Sequence, residues 1–247
     1  MRFLPLLFAF VLSTWSFFSY AWWNEDWTSR KKITLTGPSS EVTDVPVLIP
    51  LHTGNFDFFS ASDNGGDVRL VAGDDKTALK FHFEKWDVAN ELALIWVKVP
   101  RLSAQTEIFL YYGNENATSA ADPKGTYDAS SAIYHFAEPQ GNPQDSGSNN
   151  LHAQSSAHVA ASFSNGGAGF DGAQSLILPP IQAAGGYSFS VWVKPTSPSG
   201  IIYQSDNVSV SLDDGLIRMQ SGGRAWFPTS LLLPGSGITS VSRFRMR

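Results

Sequence analysis

The chain has 247 residues, enough for one large β domain or two smaller ones, and its 17 Phe and 8 Trp supply material for a real core. Charge is sparse and mildly acidic at −5, which argues against nucleic acid, because a polyphosphate partner needs a basic footprint. Cysteine is absent, which excludes disulfides, a disulfide-linked partner, thiol catalysis and thiolate metal sites.

Arg2 opens a short positive region, and residues 3–18 form an apolar run broken by Pro5, Ser13, Thr14 and Ser16. Ser19 and Ala21 place small residues at −3 and −1, so residues 1–21 read as a signal peptide cleaved after Ala21. The rival reading, an uncleaved anchor, needs roughly 20 uninterrupted apolar residues. The expected location is therefore outside the cytoplasm, periplasmic or at the cell surface, with membrane attachment only in a longer form. No later stretch is apolar for long enough to span a bilayer.

Residues 32–35 and 45–51 read as short strands, separated by the turn composition Gly37-Pro38-Ser39-Ser40. A polar loop over 61–67 precedes strands at 68–72 and 79–86, with Gly73-Asp74-Asp75 turning between them. The best-specified core is 92–114. Leu94, Trp96 and Lys98 alternate with Ile95, Val97 and Val99, the period of a pleated strand, and Pro100 is expected to end the run. Thr106 to Tyr112 alternates again, with Ile108, Leu110 and Tyr112 on one face. The spacing predicts a hairpin buried on both sides inside a sandwich. No segment carries a helical apolar repeat, so the predicted class is all-β, a β-sandwich followed by an incomplete jelly-roll sandwich.

Several motifs in register carry a resemblance over residues 23–120. They are Trp27, Arg30-Lys31-Lys32-Ile33, Pro46-Val47-Leu48-Ile49, Phe56-Asp57-Phe58, the run from Ala61 to Arg69, Glu84-Lys85-Trp86-Asp87, Trp96-Val97-Lys98-Val99-Pro100 and Tyr111-Tyr112-Gly113-Asn114. Together these residues resemble a bacterial domain of unknown function. That domain is known mainly from the exported N-terminal part of biopolymer-transport proteins of the MotA/TolQ/ExbB proton-channel family. The resemblance implies a sandwich domain over 22–120 and membrane helices in full-length relatives. It implies no established activity.

A small, polar, Ala-rich stretch at 116–123 marks a boundary, with a linker at 121–125 and a second domain over 126–230. Strands are expected there at 132–136, 176–178 and 187–194. Phe136, Asp145-Ser146-Gly147, Gly169-Phe170-Asp171-Gly172 and Ser188 to Pro195 resemble the opening strands of a laminin-G-like, concanavalin-type jelly roll, a fold commonly used to bind glycans. After Asp214 there is no acidic residue, and 231–247 is an atypical basic tail. A truncated or frameshifted reading frame, or a native tail, would each explain it.

For chemistry, Asp63-Asn64-Gly65-Gly66-Asp67 offers Asp63 and Asp67 as oxygen ligands for Ca²⁺, although the spacing is not that of an EF-hand and the same residues suit a plain turn. Asp67 and Arg69 are expected on one strand face, and Glu84 and Trp86 on one face of the next. Together they form either a ligand site or an ion-pair network that sets register. Trp22, Trp23 and Trp27 are candidates for stacking on sugars, whereas Trp96 and Trp192 read as core. The five His show no zinc-hydrolase spacing, and there is no Gly-x-Ser-x-Gly elbow, phosphate-binding Gly-rich loop or strand with paired carboxylates. No enzyme and no organic cofactor are expected. The leading functional reading is an exported binding or sensing ectodomain of a membrane transport complex. The alternative is a free-standing carbohydrate-binding protein, and a divergent glycan-active enzyme is a third class. The candidate partners are a glycan or other exported polymer and the transport complex.

Overall fold

The computed structural model describes residues 22–128, 132–154, 158–159, 166–181, 188–221, 224–226 and 239–245, with the backbone alone at 158–159, 188, 224–226 and 239–245. The predicted signal segment and most of the atypical tail lie outside the described residues. The chain is all-β, in several antiparallel sheets.

Six strands build the first region: β1 (Ser29–Leu35), β2 (Val42–His52), β3 (Arg69–Ala72), β4 (Phe81–Asp87), β5 (Leu92–Leu102) and β6 (Thr106–Tyr112). They form two three-stranded sheets, ordered β1-β6-β3 and β2-β5-β4. Leu35, Leu70, Ile108 and Leu110 of the first sheet meet Ile49, Leu51, Phe81, Ile95, Val97 and Val99 of the second in one buried cluster. The alternation expected at β5 and β6 is present, but the two strands do not pair as a hairpin. Each is the central strand of its own sheet, β5 between β2 and β4, and β6 between β1 and β3. A central strand is paired along both edges, and both strands turn one buried apolar face to the core between the sheets.

Pro100 does not end β5. Beyond Lys98, whose N–H still reaches the Lys80 carbonyl at 2.9 Å, the strand is paired with β2 alone, so a residue without an N–H is tolerated on the open side. Opposite it the ladder skips Asp44, which takes a positive φ of 53°.

Residues 121–125, expected to be a linker, are docked on the second sheet. Asp122 donates its N–H to the Phe81 carbonyl at 2.7 Å and its carboxylate caps the single-turn helix α1 (Pro123–Thr126) through Gly125. Thr126 and Tyr127 are buried behind it. Residues 132–136 form no strand, only an isolated bridge between Tyr134 and Asp145. The buried Asp145 carboxylate organises that loop by accepting from the N–H groups of Ile133, Gly147 and Leu151.

The second region holds short ladders: β7 (His158–Val159) with β8 (Ala168–Gly169), and β9 (Ser188–Val193) with β14 (Thr239–Arg245). A meander of β10 (Gly200–Gln204), β11 (Val208–Asp213), β12 (Leu216–Ser221) and β13 (Arg224–Trp226) completes it. Val208, Val210, Leu212, Ile217 and Met219 pack with Phe189, Val191 and Val193 of β9 in a small separate core. Alternation along β9 turns Trp192 outward, 65% exposed, so it is not core. Residues 176–178 form no strand, although the Ile177 carbonyl accepts from Gln154 N–H at 2.8 Å.

Candidate functional site

Of the residues expected to form a ligand site, Asp67, Arg69, Trp23 and Trp27 come together, whereas Glu84 lies apart against Trp96. Asp67 is fully buried. One carboxylate oxygen accepts from Ser62 N–H at 3.0 Å, and the other from Gly113 at 2.6 Å and Asn114 at 3.3 Å. The side chain ties the loop before β3 to the end of β6. Both of its oxygens are held by backbone donors. Asp63 is exposed and contributes only its carbonyl, which accepts from Trp86 Nε1 at 3.1 Å. Among the described residues no three His, Asp or Glu side chains are arranged to hold a metal ion. Gly65 sits between them at φ 66°, where an added Cβ would lie 2.9 Å from the Trp86 ring, so this turn needs glycine.

Arg69 donates to the carbonyls of Gly66, Val68 and Thr118, and its guanidinium lies 5.1 Å from the Trp27 ring centre. Burial lowers its pKa, against the pull of Asp67. It is a brace between β3 and residue 118.

Glu84 and Trp86 lie on opposite faces, contrary to the simple alternation expected of them. The β4 ladder shifts between Phe83 and Lys85, a bulge that leaves Glu84 unpaired. Glu84 points outward and accepts from Trp96 Nε1 at 2.6 Å. Trp86 turns inward against Phe56, Phe58 and Phe83. Of the N-terminal tryptophans, Trp27 is buried and donates from Nε1 to the Asp67 carbonyl, while Trp23 is half-buried edge-on to it. Only Trp22 is exposed, at 38%, close to Arg30. Arg30 is itself held by Asp75 at 2.5 Å and by the Tyr111 hydroxyl, which donates to Asp75 at 2.6 Å. That corner is largely committed to packing the outer face of the first sheet.

Two arrangements emerge that sequence reasoning missed. The first is an open groove of about 460 Å³ at one end of the sandwich. Lys31 of β1, Asn55, Asp57 and Phe59 after β2, Glu91 before β5 and Tyr112 of β6 line it. The turn after β2 is fixed by Asn55, which accepts from His52 N–H and donates to the Pro50 carbonyl. Asp57 then caps a 3₁₀ turn (Phe58–Ser60), accepting from Phe59 N–H at 3.1 Å and from the Ser60 hydroxyl at 2.5 Å. This turn sends consecutive Phe side chains in opposite directions. Phe58 plugs the core at 1% exposed, and Phe59 stands in solvent at 80%. Tyr112 packs against Phe56 in a tilted arrangement with centroids 4.7 Å apart, and burial together with nearby Asp57 raises its pKa. The pair Phe58-Phe59 outside any strand pattern was the available signal, because a two-residue apolar run in a loop cannot bury both rings on one side.

The second is a cluster on the outer face of the second sheet. Beneath Tyr127, His82 and His135 face each other with ring centres 4.9 Å apart. Tyr127 is 3.4 Å from His82 Nδ1, and Glu84 is 3.9 Å from His135 Nδ1. Burial and the neighbouring His135 hold the His82 pKa down to about 4. Burial also lowers that of His135, against the opposing pull of Glu84 and Glu138. Burial and Glu84 raise that of the Tyr127 hydroxyl. Trp96, read as core, is instead the floor of this cluster.

The fold and these surfaces define an antiparallel β-sandwich module with an open end groove. The family model of a domain of unknown function, DUF2341, matches residues 64–152. No curated protein and no solved structure is significantly similar to the chain. The matched stretch crosses the boundary expected at residue 120 and takes in α1, Tyr127, His135 and the Asp145 loop.

Proposed function

We propose that this chain is an exported binding module that acts by holding a ligand rather than by catalysis, and that the groove beside Phe59 is its site. The observation that carries this reading is Phe59, a large aromatic kept 80% exposed by a capped turn above a polar groove. An aromatic face offers stacking to the apolar face of a sugar ring, and Lys31 and Glu91 supply edge hydrogen bonds to hydroxyl or amide groups. An oligosaccharide, or the glycan part of an exported polymer, is the ligand class this chemistry suits. Asp57, with its oxygens engaged by Phe59 and Ser60, is a structural cap and not a general acid or base.

The signal-like N-terminus supports export to the periplasm or surface. The resemblance to the exported part of MotA/TolQ/ExbB-type proteins supports a role as the sensing ectodomain of a transport complex. In that reading the second region, with its resemblance to a concanavalin-type jelly roll, adds a further binding surface. The alternative, a free-standing carbohydrate-binding protein, rests on the same exposed aromatic. Titrating the whole chain with a panel of neutral and N-acetylated oligosaccharides tests the site. Binding that Phe59→Ala weakens at least tenfold supports it, and affinity unchanged in Phe59→Ala removes it. Co-purification with proton-channel membrane proteins from the native host separates the two contexts.

A further inference from the structure

The histidine cluster lies outside the binding reading and asks for its own account. Its members come from three parts of the chain: His82, Glu84 and Trp96 from the outer face of the second sheet, Tyr127 from the end of α1, and His135 from the stretch that follows. Nothing in this cluster belongs to the core between the sheets, which is built from the opposite faces of β4 and β5. The contact therefore holds the stretch after α1 against a sandwich that is complete without it.

We propose that this contact is an acid-released latch: protonation of His82 and His135 detaches Tyr127 and residues 132–138 from the second sheet while the sandwich stays folded.

The groups that face the two imidazoles leave little to stabilise two added charges. From β4, Glu84 is shared between Trp96 Nε1 at 2.6 Å and a more distant His135. From β5, Lys98 is already engaged by Asp128 at 2.7 Å and by Asp44 of β2 at 3.3 Å. From α1, Tyr127 offers His82 only a long contact. From the released stretch, Glu138 acts on His135 at longer range and accepts from Gln144 N–H. His135 Nε2 is buried and makes no hydrogen bond. One protonated ring could be tolerated beside Glu84. Two at 4.9 Å repel each other in a poorly solvated site. Lys80, bound to Asp122 at 2.8 Å, and the Asp122 N–H to Phe81 are independent of the histidines, so the chain stays anchored at residue 122 when the latch opens.

The sign follows from the depressed affinity for protons. The latched form is favoured above the ordinary histidine range and weakens as pH falls from about 6.5 toward 4. For His82 alone the latching equilibrium falls by about 20-fold at pH 5 relative to pH 7.

The test is amide hydrogen exchange by NMR on the whole chain at pH 7.5 and pH 5, corrected for intrinsic rates, with imidazole titration of the same sample. Protection at Thr126 and Tyr127 is expected to drop by at least tenfold while Ile95 and Val97 of β5 keep theirs, and His82→Phe is expected to remove most of that drop. His82 is expected to titrate well below 6.5. The proposal is overturned if both histidines titrate near 6.5 or if the drop persists undiminished in a folded His82→Phe variant. Loss at Thr126 only together with Ile95 and Val97 also overturns it. Should His82→Phe not fold, the titration and exchange of the unaltered chain decide alone.

Discussion

Asp67 offers the sharpest test of whether the Asp63–Asp67 loop is architecture. Replacing it with Ala removes a buried carboxylate that accepts from three backbone N–H groups, two with good geometry at 3.0 and 2.6 Å and one long at 3.3 Å. Each buried donor left without a partner costs about 1–3 kcal/mol, so two strong bonds and a weak one sum to about 3–5 kcal/mol. The native state of such a domain is worth about 5–15 kcal/mol, so the variant is expected to lose a large fraction of it. Asp67→Asn keeps the shape and one acceptor oxygen and should lose about half as much, on the order of 2 kcal/mol. Urea unfolding followed by tryptophan fluorescence reads both, because Trp27 donates to the Asp67 carbonyl and reports the same junction. A loss below about 1 kcal/mol for Asp67→Ala, where a single neutral hydrogen bond would lie, would refute the reasoning. So would a midpoint for the unaltered chain that rises with added Ca²⁺ and falls with chelator, since Asp67 would then be serving a cation.

Gly65→Ala forces a Cβ to 2.9 Å from Trp86 at a positive φ, and thermal unfolding should show a loss of about 1–3 kcal/mol. Trp86→Ala empties an aromatic cluster and should cost about 3–5 kcal/mol by urea unfolding, whereas Trp192→Ala, on an exposed face, should change little. Glu84→Leu leaves Trp96 Nε1 without its acceptor and should lower stability by about 1–3 kcal/mol at neutral pH, measured by denaturant midpoint. Phe59→Ala should leave the melting temperature within experimental scatter, because the ring is 80% exposed.

The strand pattern was legible because alternation is a local property. β2, β3, β4, β5 and β6 fall close to their expected positions, and period alone grouped Ile95, Val97 and Val99 on one face and Ile108 and Leu110 on another, without telling which faces turn to the core. Pairing partners were not, since adjacent amphipathic strands satisfy the same pattern whether they pair or cross between sheets, as β5 and β6 do. One extra residue defeated the site reading at β4. The bulge at Glu84 reverses the faces after it, and no composition signal distinguishes a bulged strand from a regular one. Residues 121–125 looked like a linker because the stretch around them is small and polar, yet Asp122 as a cap and Tyr127, just beyond, as a plug dock them firmly. The histidine cluster was invisible for a related reason: His82 and His135 are brought together by that docking, not by spacing. Phe59 lies just after the motif Phe56-Asp57-Phe58 and was not singled out, because its exposure depends on a single 3₁₀ turn.

The central claim is that the groove beside Phe59 binds ligand. Chemical-shift mapping of the whole chain against the oligosaccharide panel tests it most directly. The account predicts saturable shifts confined to Lys31, Asn55, Phe59, Glu91 and Tyr112, lost in a Phe59→Ala variant that melts like the parent. Saturable shifts centred on Trp22 or on the second region, or groove shifts that survive Phe59→Ala, would contradict it.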